Sequence, residues 1–357
     1  MLEHSAKPQV SDTADWRGFV ALFLTVLIGV AVGTYLFILL VDPYGIIPFS
    51  LPIDRRIVSI SQRFMYPQIV RSKRFDSLII GTSTSRLLDP QLLDKLFHVR
   101  IANLAMDSAM AWEQKTMLDL FLRTAGPPKL LIVGLDMVWC DEHADQHRIT
   151  FRGFPAWLYD DNPWNDYLYL FNYGTLEIAA RLIGYHLGLY PEHVRYDGYE
   201  VFVPPESQYD PARAHANIWR DKLPPPTVLP PPLTLADLNK LEFPALAWLD
   251  EGLARIPSPS LKILAFMPNH VAAQPVPGTH AAQALGECKA RIRAIAQRRG
   301  AIMIDWDIAS SLTSNDLNYW DTLHYRVPIA TQLAKELAGA ALSGQEAADG
   351  TYRILVR

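Results

Sequence analysis

Two short motifs, far apart in the chain, carry the residue types needed for nucleophilic catalysis. An apolar run at 75–80 ends in the motif GTS at 81–83, and the motif DTLH occupies 321–324. A serine hydroxyl is a weak nucleophile until a base takes its proton, and that base needs a third group to fix its tautomer. We therefore expect Ser83 to be the nucleophile, His324 the base and Asp321 the group that orients His324.

The elements that must position these motifs alternate between β-type and helical patterns. We predict strands at 77–80, 99–104, 130–135, 261–266 and 301–304, and helices at 90–96, 112–122, 281–298 and 329–342. Such alternation predicts a parallel sheet with crossover helices, and the nearly all-apolar strands indicate cover on both faces. Ser83 follows the first strand, and DTLH lies between the last predicted strand and the last helix. Both motifs are thus expected at the carboxyl edge of the sheet, where ligands bind.

With these two motifs the chain resembles the SGNH, or GDSL-like, hydrolase superfamily. GTS stands where the family has Gly-Asp-Ser, with Thr82 replacing the aspartate, and DTLH matches its terminal Asp-x-x-His. The resemblance covers 75–137 and 261–342. It implies an α/β fold of the flavodoxin-like type, a three-layer sandwich with a parallel sheet.

Two positions that bind the oxyanion in the family carry other residues here. Ser108 replaces a glycine at the end of the segment that begins at Asn103, but it keeps a backbone N–H. Asp136 replaces an asparagine, and an ionised carboxylate only accepts hydrogen bonds. Losing one oxyanion donor typically costs on the order of 100–1000-fold in rate. Asn269 could supply a substitute donor, and the adjacent His270 is either a cleft residue or a surface-loop histidine.

Other interpretations of these motifs stay open. The hydroxyl-rich segment after the first strand could simply turn the chain and cap a helix. An α/β-hydrolase elbow needs Gly-x-Ser-x-Gly, and this chain has Ser85 in the last place. His143 and His147, with two aspartates nearby, could ligate a metal, although a solvated loop is the preferred interpretation. We expect neither a metal nor a cofactor at the site.

A membrane-spanning helix is predicted at 19–41, where about 23 residues carry no charge, enough to cross a bilayer. The run ends without an Ala-x-Ala site, which argues against a cleaved signal peptide. Basic residues flank it on both sides, so charge does not decide its orientation. We divide the chain into an N-terminal tail at 1–18, this helix, a linker at 42–74, a split α/β domain at 75–138 and 261–345, and a C-terminal tail at 346–357.

The stretch 139–260 is too long for a plain connection and is predicted to be an insertion or lid. Its aromatic-rich part is either core or a stacking surface for a sugar-like acceptor. Its proline-rich part at 223–232 favours a stiff surface strap. Residues 233–256 look helical again, with Thr234 as N-cap.

The bulk composition narrows the class of protein. The 357 residues are 50% hydrophobic and carry a net charge of -4, which gives no electrostatic case for binding nucleic acid. Cys140 and Cys288 show no metal-ligand spacing, and a disulfide between them stays open.

A single-span anchor on such a domain resembles the accessory proteins that acylate cell-surface polysaccharides, including alginate-acetylating and teichoic-acid-alanylating members. The resemblance implies a periplasmic body on the inner membrane, an acyl-ester or glycan substrate and a membrane-embedded acyl-donor protein as partner. The first hypothesis is a serine esterase or O-acyltransferase. The alternative is a non-catalytic glycan-binding or assembly protein that kept the fold.

Overall fold

The computed structural model describes residues 12–222 and 224–357. Most of the predicted N-terminal tail, up to residue 11, and Leu223 of the predicted proline-rich strap lie outside these residues. The chain divides into two compact units. The smaller unit contains the described residues up to Arg55 together with Pro163–Tyr190, and the larger unit contains Arg56–Asn162 and Pro191–Arg357.

The larger unit is built on a six-stranded sheet in the order β2-β1-β3-β4-β5-β6. The first five strands are parallel, and β6 runs antiparallel to β5. The strands are β1 Ser77–Ile80, β2 Ile101–Asn103, β3 Leu130–Leu135, β4 Leu261–Phe266, β5 Ile302–Asp305 and β6 Arg353–Val356. From β1 the chain goes to β2 on one side and then crosses to β3 on the other. A crevice therefore opens beyond the carboxyl ends of β1 and β3.

Helices connect and cover these strands. In chain order they are α1 Asp12–Val41, α2 Gln62–Arg71, α3 Pro90–Phe97, α4 Ala111–Thr124, α5 Pro163–Leu170, α6 Tyr173–His186, α7 Pro211–Trp219, α8 Leu235–Lys240, α9 Ala245–Ala254, α10 His280–Arg299 and α11 Val327–Ser343. Local signals set several of their ends. Asp89 caps α3 by accepting from the Gln91 N–H ahead of a proline at the first helical position. Gly300 ends α10 in the left-handed conformation, with φ at +60°.

Both faces of the sheet are buried. On one face, Ile79, Ile132 and Ile263 pack with the apolar sides of α3 and α11. On the other face, Leu78, Leu131 and their neighbours are equally inaccessible. This two-sided cover explains why these strands read as continuous apolar runs.

The predicted elements of the sheet are largely confirmed. β1, β3 and β4 have the predicted bounds, while β2 and β5 differ from the prediction by one or two residues at their ends. In α10 the apolar side chains of Leu285, Cys288 and Ile292 are buried. Thr234 caps α8 as expected, although the predicted helix 233–256 divides into α8 and α9.

The ends of the larger unit differ from the sequence-based division. The predicted linker 42–74 contains α2 and the buried residues Ile57 and Val58, so its second half belongs to the packed unit. The predicted C-terminal tail contains β6, which completes the sheet edge. Each segment is short, and each is ordered by the surface that it packs against.

The smaller unit is formed by α1, α5 and α6. The apolar stretch Trp16–Val41 of α1 has 26 residues and is long and apolar enough to cross a membrane. Its helix begins at Asp12, so the last residues of the predicted tail belong to it. The predicted insertion 139–260 is divided, because α5 and α6 belong to this unit and the remainder belongs to the larger one.

Candidate active site

Ser83 begins a short 3₁₀ turn, Ser83–Ser85, directly after β1. The turn lies over the ends of β1 and β3, where only glycine leaves it room. A Cβ on Gly134 would lie 1.7 Å from the Ser85 hydroxyl oxygen, and one on Gly81 would lie 2.6 Å from it. Thr84 and Ser85 are buried, whereas Ser83 is partly exposed. The turn thus presents one hydroxyl to the crevice.

Asn103, at the end of β2, holds this turn in place. Its amide nitrogen donates to the carbonyl oxygens of Ser85, Arg86 and Leu88 at 3.0, 3.2 and 3.0 Å. Its Oδ1 accepts from the Ala105 N–H at 3.2 Å. The two hydrogens of one buried amide are therefore shared among three carbonyl groups that follow the candidate nucleophile, and the Ser85 carbonyl also accepts from the Leu88 N–H at 3.2 Å. The sequence identified Asn103 only as the start of the segment that ends at Ser108, and its bracing role was not predicted.

Asp321 and His324 lie in a tight loop between β5 and α11. The Trp320 N–H donates to the His324 carbonyl at 2.8 Å and closes the loop. The Asp321 Oδ1 accepts from the backbone N–H groups of Leu323 and His324 at 2.8 and 3.0 Å. The carboxylate thus organises the backbone that carries the histidine, and the separation of three residues makes this possible.

The two motifs meet at the carboxyl edge of the sheet. The His324 Nε2 lies 2.8 Å from the Ser83 Oγ, and the His324 Nδ1 lies 2.7 Å from the Asp321 Oδ2. Since Asp321 is an acceptor, the consistent tautomer carries its proton on Nδ1 and leaves Nε2 to accept from the serine hydroxyl. Burial raises the pKa of Asp321, but the hydrogen bonds from His324 and from the backbone outweigh it and leave that pKa below its usual value. An ionised Asp321 is suited to stabilising a charged imidazole.

Contacts outside the two motifs fix the imidazole. The Tyr325 hydroxyl donates to the Thr84 carbonyl and ties the histidine loop to the serine turn. Phe202 contacts the His324 ring edge-on, with centroids 5.1 Å apart. The Arg86 guanidinium lies 4.5 Å above the Phe202 ring. Tyr325, Phe202 and Arg86 were not among the predicted site residues, because their roles depend on tertiary contacts.

Arg86 is a buried cation held between two carboxylates. It forms ion pairs with Asp107 and Glu200. The three charged residues come from the turn after β1, the loop after β2 and the insertion. This network therefore anchors Phe202, and with it one wall of the His324 pocket, to the sheet.

Asp136 follows β3, but its carboxylate binds neighbours other than Ser83. Its Oδ1 accepts from the Val138 N–H at 3.1 Å, and its Oδ2 accepts from the Thr82 hydroxyl. Burial is the main influence on its pKa, which is raised to about 6 although the bonds from Thr82 and Val138 oppose that shift. While it is ionised, this carboxylate offers no hydrogen-bond donor.

Ser108 is exposed and adopts a left-handed backbone conformation, with φ at 50°. This is the conformation that favours glycine, the residue expected there from the resemblance. The Met106 N–H donates to the Gly81 carbonyl at 3.1 Å, which carries the pairing of β1 and β2 into their loops. Two residues further on, Ser108 is thereby brought to the same edge of the sheet as Ser83.

Asn269 and His270 are buried and make no recorded hydrogen bond to Ser83 among the described residues. The Asn269 amide nitrogen lies 3.4 Å from the Asp307 Oδ1. His270 is fully buried, so the surface-loop interpretation is wrong. Its backbone N–H donates to the Thr322 carbonyl at 2.9 Å, within the loop that carries Asp321 and His324.

A second network surrounds His270. Its Nδ1 accepts from the Ala272 N–H at 3.1 Å, so its Nε2 donates to Asp316 at 3.0 Å. The other Asp316 oxygen binds the Trp219 indole N–H at 2.9 Å and also the His215 ring. Burial lowers the pKa of His270, against the opposing effect of Asp316. We conclude that His270 is a neutral support for the loop.

The alternative metal site is not assembled. His147 pairs with Asp141 at 2.8 Å on an exposed turn, and His143 contacts the His147 ring edge-on. In the described part of the chain, no group of three or more potential ligands could hold a metal ion.

No family model matches this chain, and no curated protein does.

Proposed function

We propose that this chain is a membrane-anchored serine esterase or O-acyltransferase of the SGNH type. One observation carries the proposal, namely the continuous hydrogen-bonded series Ser83 Oγ, His324 Nε2, His324 Nδ1 and Asp321. Nucleophile, base and orienting carboxylate within hydrogen-bond reach are the geometric signature of an activated serine. The sequence separation of 241 residues between Ser83 and His324 makes a purely local turn-stabilising role a weak explanation.

In the proposed reaction His324 takes the Ser83 proton as the hydroxyl oxygen attacks the carbonyl carbon of an acyl ester. Asp321 stabilises the imidazolium that forms. The tetrahedral adduct collapses when His324 returns the proton to the departing alcohol, which leaves an acyl group on Ser83. Water or a glycan hydroxyl then gives its proton to His324 and attacks this acyl-serine. The bond between the acyl carbon and the Ser83 oxygen breaks, and His324 returns the proton to that oxygen, which completes hydrolysis or transfer.

Backbone groups are the best candidates for binding the oxyanion. In the portion of the chain that is described, the N–H groups of Ser83 and Ser108 donate no hydrogen bond to the protein. Both lie at the edge where the adduct would form, and unpaired N–H groups of this kind stabilise developing negative charge. Asp136, when ionised, adds no third donor, so we expect slow turnover.

The order of the strands supports the fold assignment within the proposal. The order 2-1-3-4-5 of the five parallel strands is that of flavodoxin-like sheets, whose ligands bind where β1 and β3 diverge. Ser83 follows β1 and Asp136 follows β3, so the candidate site occupies that position.

The proposed location is the inner membrane, with the catalytic body in the periplasm. Cys140 and Cys288 form a disulfide across 148 residues, and stable disulfides are typical of oxidising compartments. The test is alkylation of native membranes before reduction. Protection of both thiols supports the periplasmic location, while full labelling without a reductant contradicts it.

The acyl acceptor in the proposal is a cell-surface polysaccharide or another envelope glycan. A membrane-embedded protein would supply the acyl group. Both assignments follow from the resemblance to polysaccharide-acylating accessory proteins and from the apolar helix, which would hold the body near such a donor.

The decisive experiment replaces the candidate nucleophile. Ser83→Ala is expected to abolish turnover of an activated acetyl ester and covalent labelling by a fluorophosphonate, since both need the serine oxygen. Loss of a triad member typically costs on the order of 10⁴–10⁶-fold. The matched control is Ser314→Ala, an exposed serine in the segment before the histidine loop, which should keep both activities. Retention of labelling by Ser83→Ala would contradict the proposal.

Asp136 favours a second candidate, a non-catalytic glycan-binding or assembly protein. A protein that does not catalyse this reaction needs no oxyanion donor, so it could tolerate a carboxylate at this position. This candidate predicts a glycan affinity that survives Ser83→Ala, together with no esterase activity between pH 5 and 9, a range over which histidine can act as base.

A further inference from the structure

A row of large apolar side chains points outward from α5 in the smaller unit. Trp164, Leu168 and Phe171 follow each other at helical spacing and are 79%, 81% and 52% exposed. The only carboxylate of α5, Asp166, is buried with Leu170 on the opposite side. On this helix the exposed side carries large apolar side chains and the carboxylate is buried, whereas a water-exposed helix has its charged residues outside. Contiguous exposed apolar surfaces of this kind mark contact with a partner or a membrane.

This row adjoins the apolar helix α1. The Tyr35 hydroxyl donates to the Tyr167 carbonyl at 2.7 Å, and the Tyr35 ring meets Phe171 edge-on at 5.5 Å. Between the two helices lies an open groove of about 380 Å³, lined by Ala31, Val32, Tyr35, Tyr167, Leu168 and Phe171. The groove is thus continuous with the surface that α1 would present to lipid.

The position of the groove along α1 determines how deep it would lie in the bilayer. If the hydrocarbon layer begins near Phe19, Tyr35 lies about 24 Å further along the helix at 1.5 Å per residue. A layer about 30 Å thick then ends only about 6 Å beyond Tyr35. Amphipathic helices that lie on membranes bury their apolar face about 5–10 Å into this boundary. The exposed rings of Tyr169 and Tyr173 suit the same interface.

We propose that α5 lies in the lipid interface at the carboxyl end of α1, and that the groove between them binds a phospholipid acyl chain. This inference rests on the proposed membrane anchor but is independent of the acyl chemistry. A partner's transmembrane helix, about 10–12 Å in diameter with side chains, would fill the groove's 380 Å³ with less than one helical turn. An unbranched acyl chain fits an apolar groove that opens toward surrounding lipid.

The test uses the full chain in phospholipid vesicles, with one introduced thiol at a time. Because Cys140 and Cys288 are disulfide-bonded, the introduced residue is the only free thiol. Leu168→Cys, labelled with an environment-sensitive fluorophore, should be quenched strongly by a nitroxide near the head of the acyl chain. Ile28→Cys on α1 should be quenched best by a nitroxide near the chain end. Val228→Cys, an equally exposed apolar position in the larger unit, is the matched control and should respond to a water-soluble quencher.

The outcomes separate the two proposals. Lipid quenching at Ile28 with only aqueous quenching at Leu168 would overturn the interface role of α5 and leave the anchor intact. Aqueous quenching at both positions would overturn the interface role of α5 and the membrane anchor together. A photoreactive residue at position 168 adds an arm in native membranes, where cross-linking to lipid supports the inference and quantitative cross-linking to one protein overturns it.

Discussion

At the scale of single residues, the candidate site combines a hydrogen-bonded serine, histidine and aspartate with an incomplete set of oxyanion donors. The contacts among Ser83, His324 and Asp321 have ordinary lengths. Asp136 stands where a donor would be expected and instead accepts from Thr82 and Val138. The three hydrogen-bonded residues support the proposed catalysis, and the carboxylate leads us to expect that turnover is slow.

Replacing Asp136 with asparagine is expected to speed the reaction. In Asp136→Asn, Oδ1 can still accept from Val138, while Nδ2 faces Thr82 and has a second hydrogen for the oxyanion. We expect kcat/KM for an activated acetyl ester at pH 7.5 to rise, by up to about 100-fold. The control is Asp145→Asn, which removes an exposed carboxylate of the same region. An unchanged or lower rate in Asp136→Asn alone would contradict this account.

The same variant should change how stability depends on pH. The pKa of Asp136 is raised from 3.8 to about 6, so the folded protein binds this proton more tightly than the unfolded chain does. The wild-type protein should therefore gain stability from this group as pH falls from about 7 to about 4. Asp136→Asn removes that gain and should stabilise the fold at pH 7 by at most about 3 kcal/mol. Urea unfolding at several pH values measures both effects, and identical pH slopes for the two proteins would contradict the assignment.

At the scale of elements, the loops that follow the strands are held in place by side chains and backbone groups of neighbouring elements. Asn103, at the end of β2, holds the serine turn, and Tyr325 joins that turn to the histidine loop. His270, which follows β4, donates its backbone N–H to the histidine loop. The two motifs are thus positioned by neighbouring elements as much as by their own sequences.

Removing the Asn103 side chain should therefore damage both stability and activity. Asn103→Ala leaves the buried carbonyl groups of Arg86 and Leu88 without their donor, while the Ser85 carbonyl keeps the Leu88 N–H. We expect the free energy of unfolding to fall by about 2–4 kcal/mol. The kcat should fall more than KM changes, because the serine turn loses its position. Asn217→Ala is the control for stability alone, since its amide donates to a single carbonyl, that of Trp320 beside the histidine loop. A loss of stability no larger than that of the control would contradict the bracing role.

At the scale of the whole molecule, a long-range disulfide joins the turn after β3 to α10. Cys140 closes the short turn that begins after Asp136, and Cys288 lies on the buried stripe of α10. The bond joins cysteines that are 148 positions apart, and the loop that it closes contains most of the divided insertion. It thereby connects the edge of the candidate site to the second half of the sheet.

Reducing this disulfide should destabilise the larger unit. For a loop of this length the chain-entropy relation gives about 5 kcal/mol, and natural disulfides usually contribute about 2–5 kcal/mol. Denaturant unfolding with and without a reductant measures the loss. Cys288→Ser should reproduce the destabilisation and become insensitive to the reductant. Unfolding that is equally stable in all these conditions would contradict the prediction.

Alternating apolar runs were sufficient to predict the five parallel strands and the helix α10, because strands covered on both faces must be apolar along their whole length. The strand β6 escaped prediction since it is short, partly exposed and ordered by pairing with β5. The assignment of α5 and α6 to a unit with α1 also escaped, because an aromatic-rich stretch suits a core, a sugar surface or a membrane interface equally well.

The sequence alone determined which residues could form a hydrogen-bonded serine, histidine and aspartate triad, since GTS and DTLH specify the chemical groups and their order along the chain. It also determined the apolar helix, because length and composition are sufficient for that. Only the tertiary structure decided that Ser83 and His324 are 2.8 Å apart, that Asp136 is bound by Thr82, and that Phe202 and Asn103 hold the site in place. Contacts between residues remote in sequence depend on how strands and helices pack, and local pattern carries little information about them.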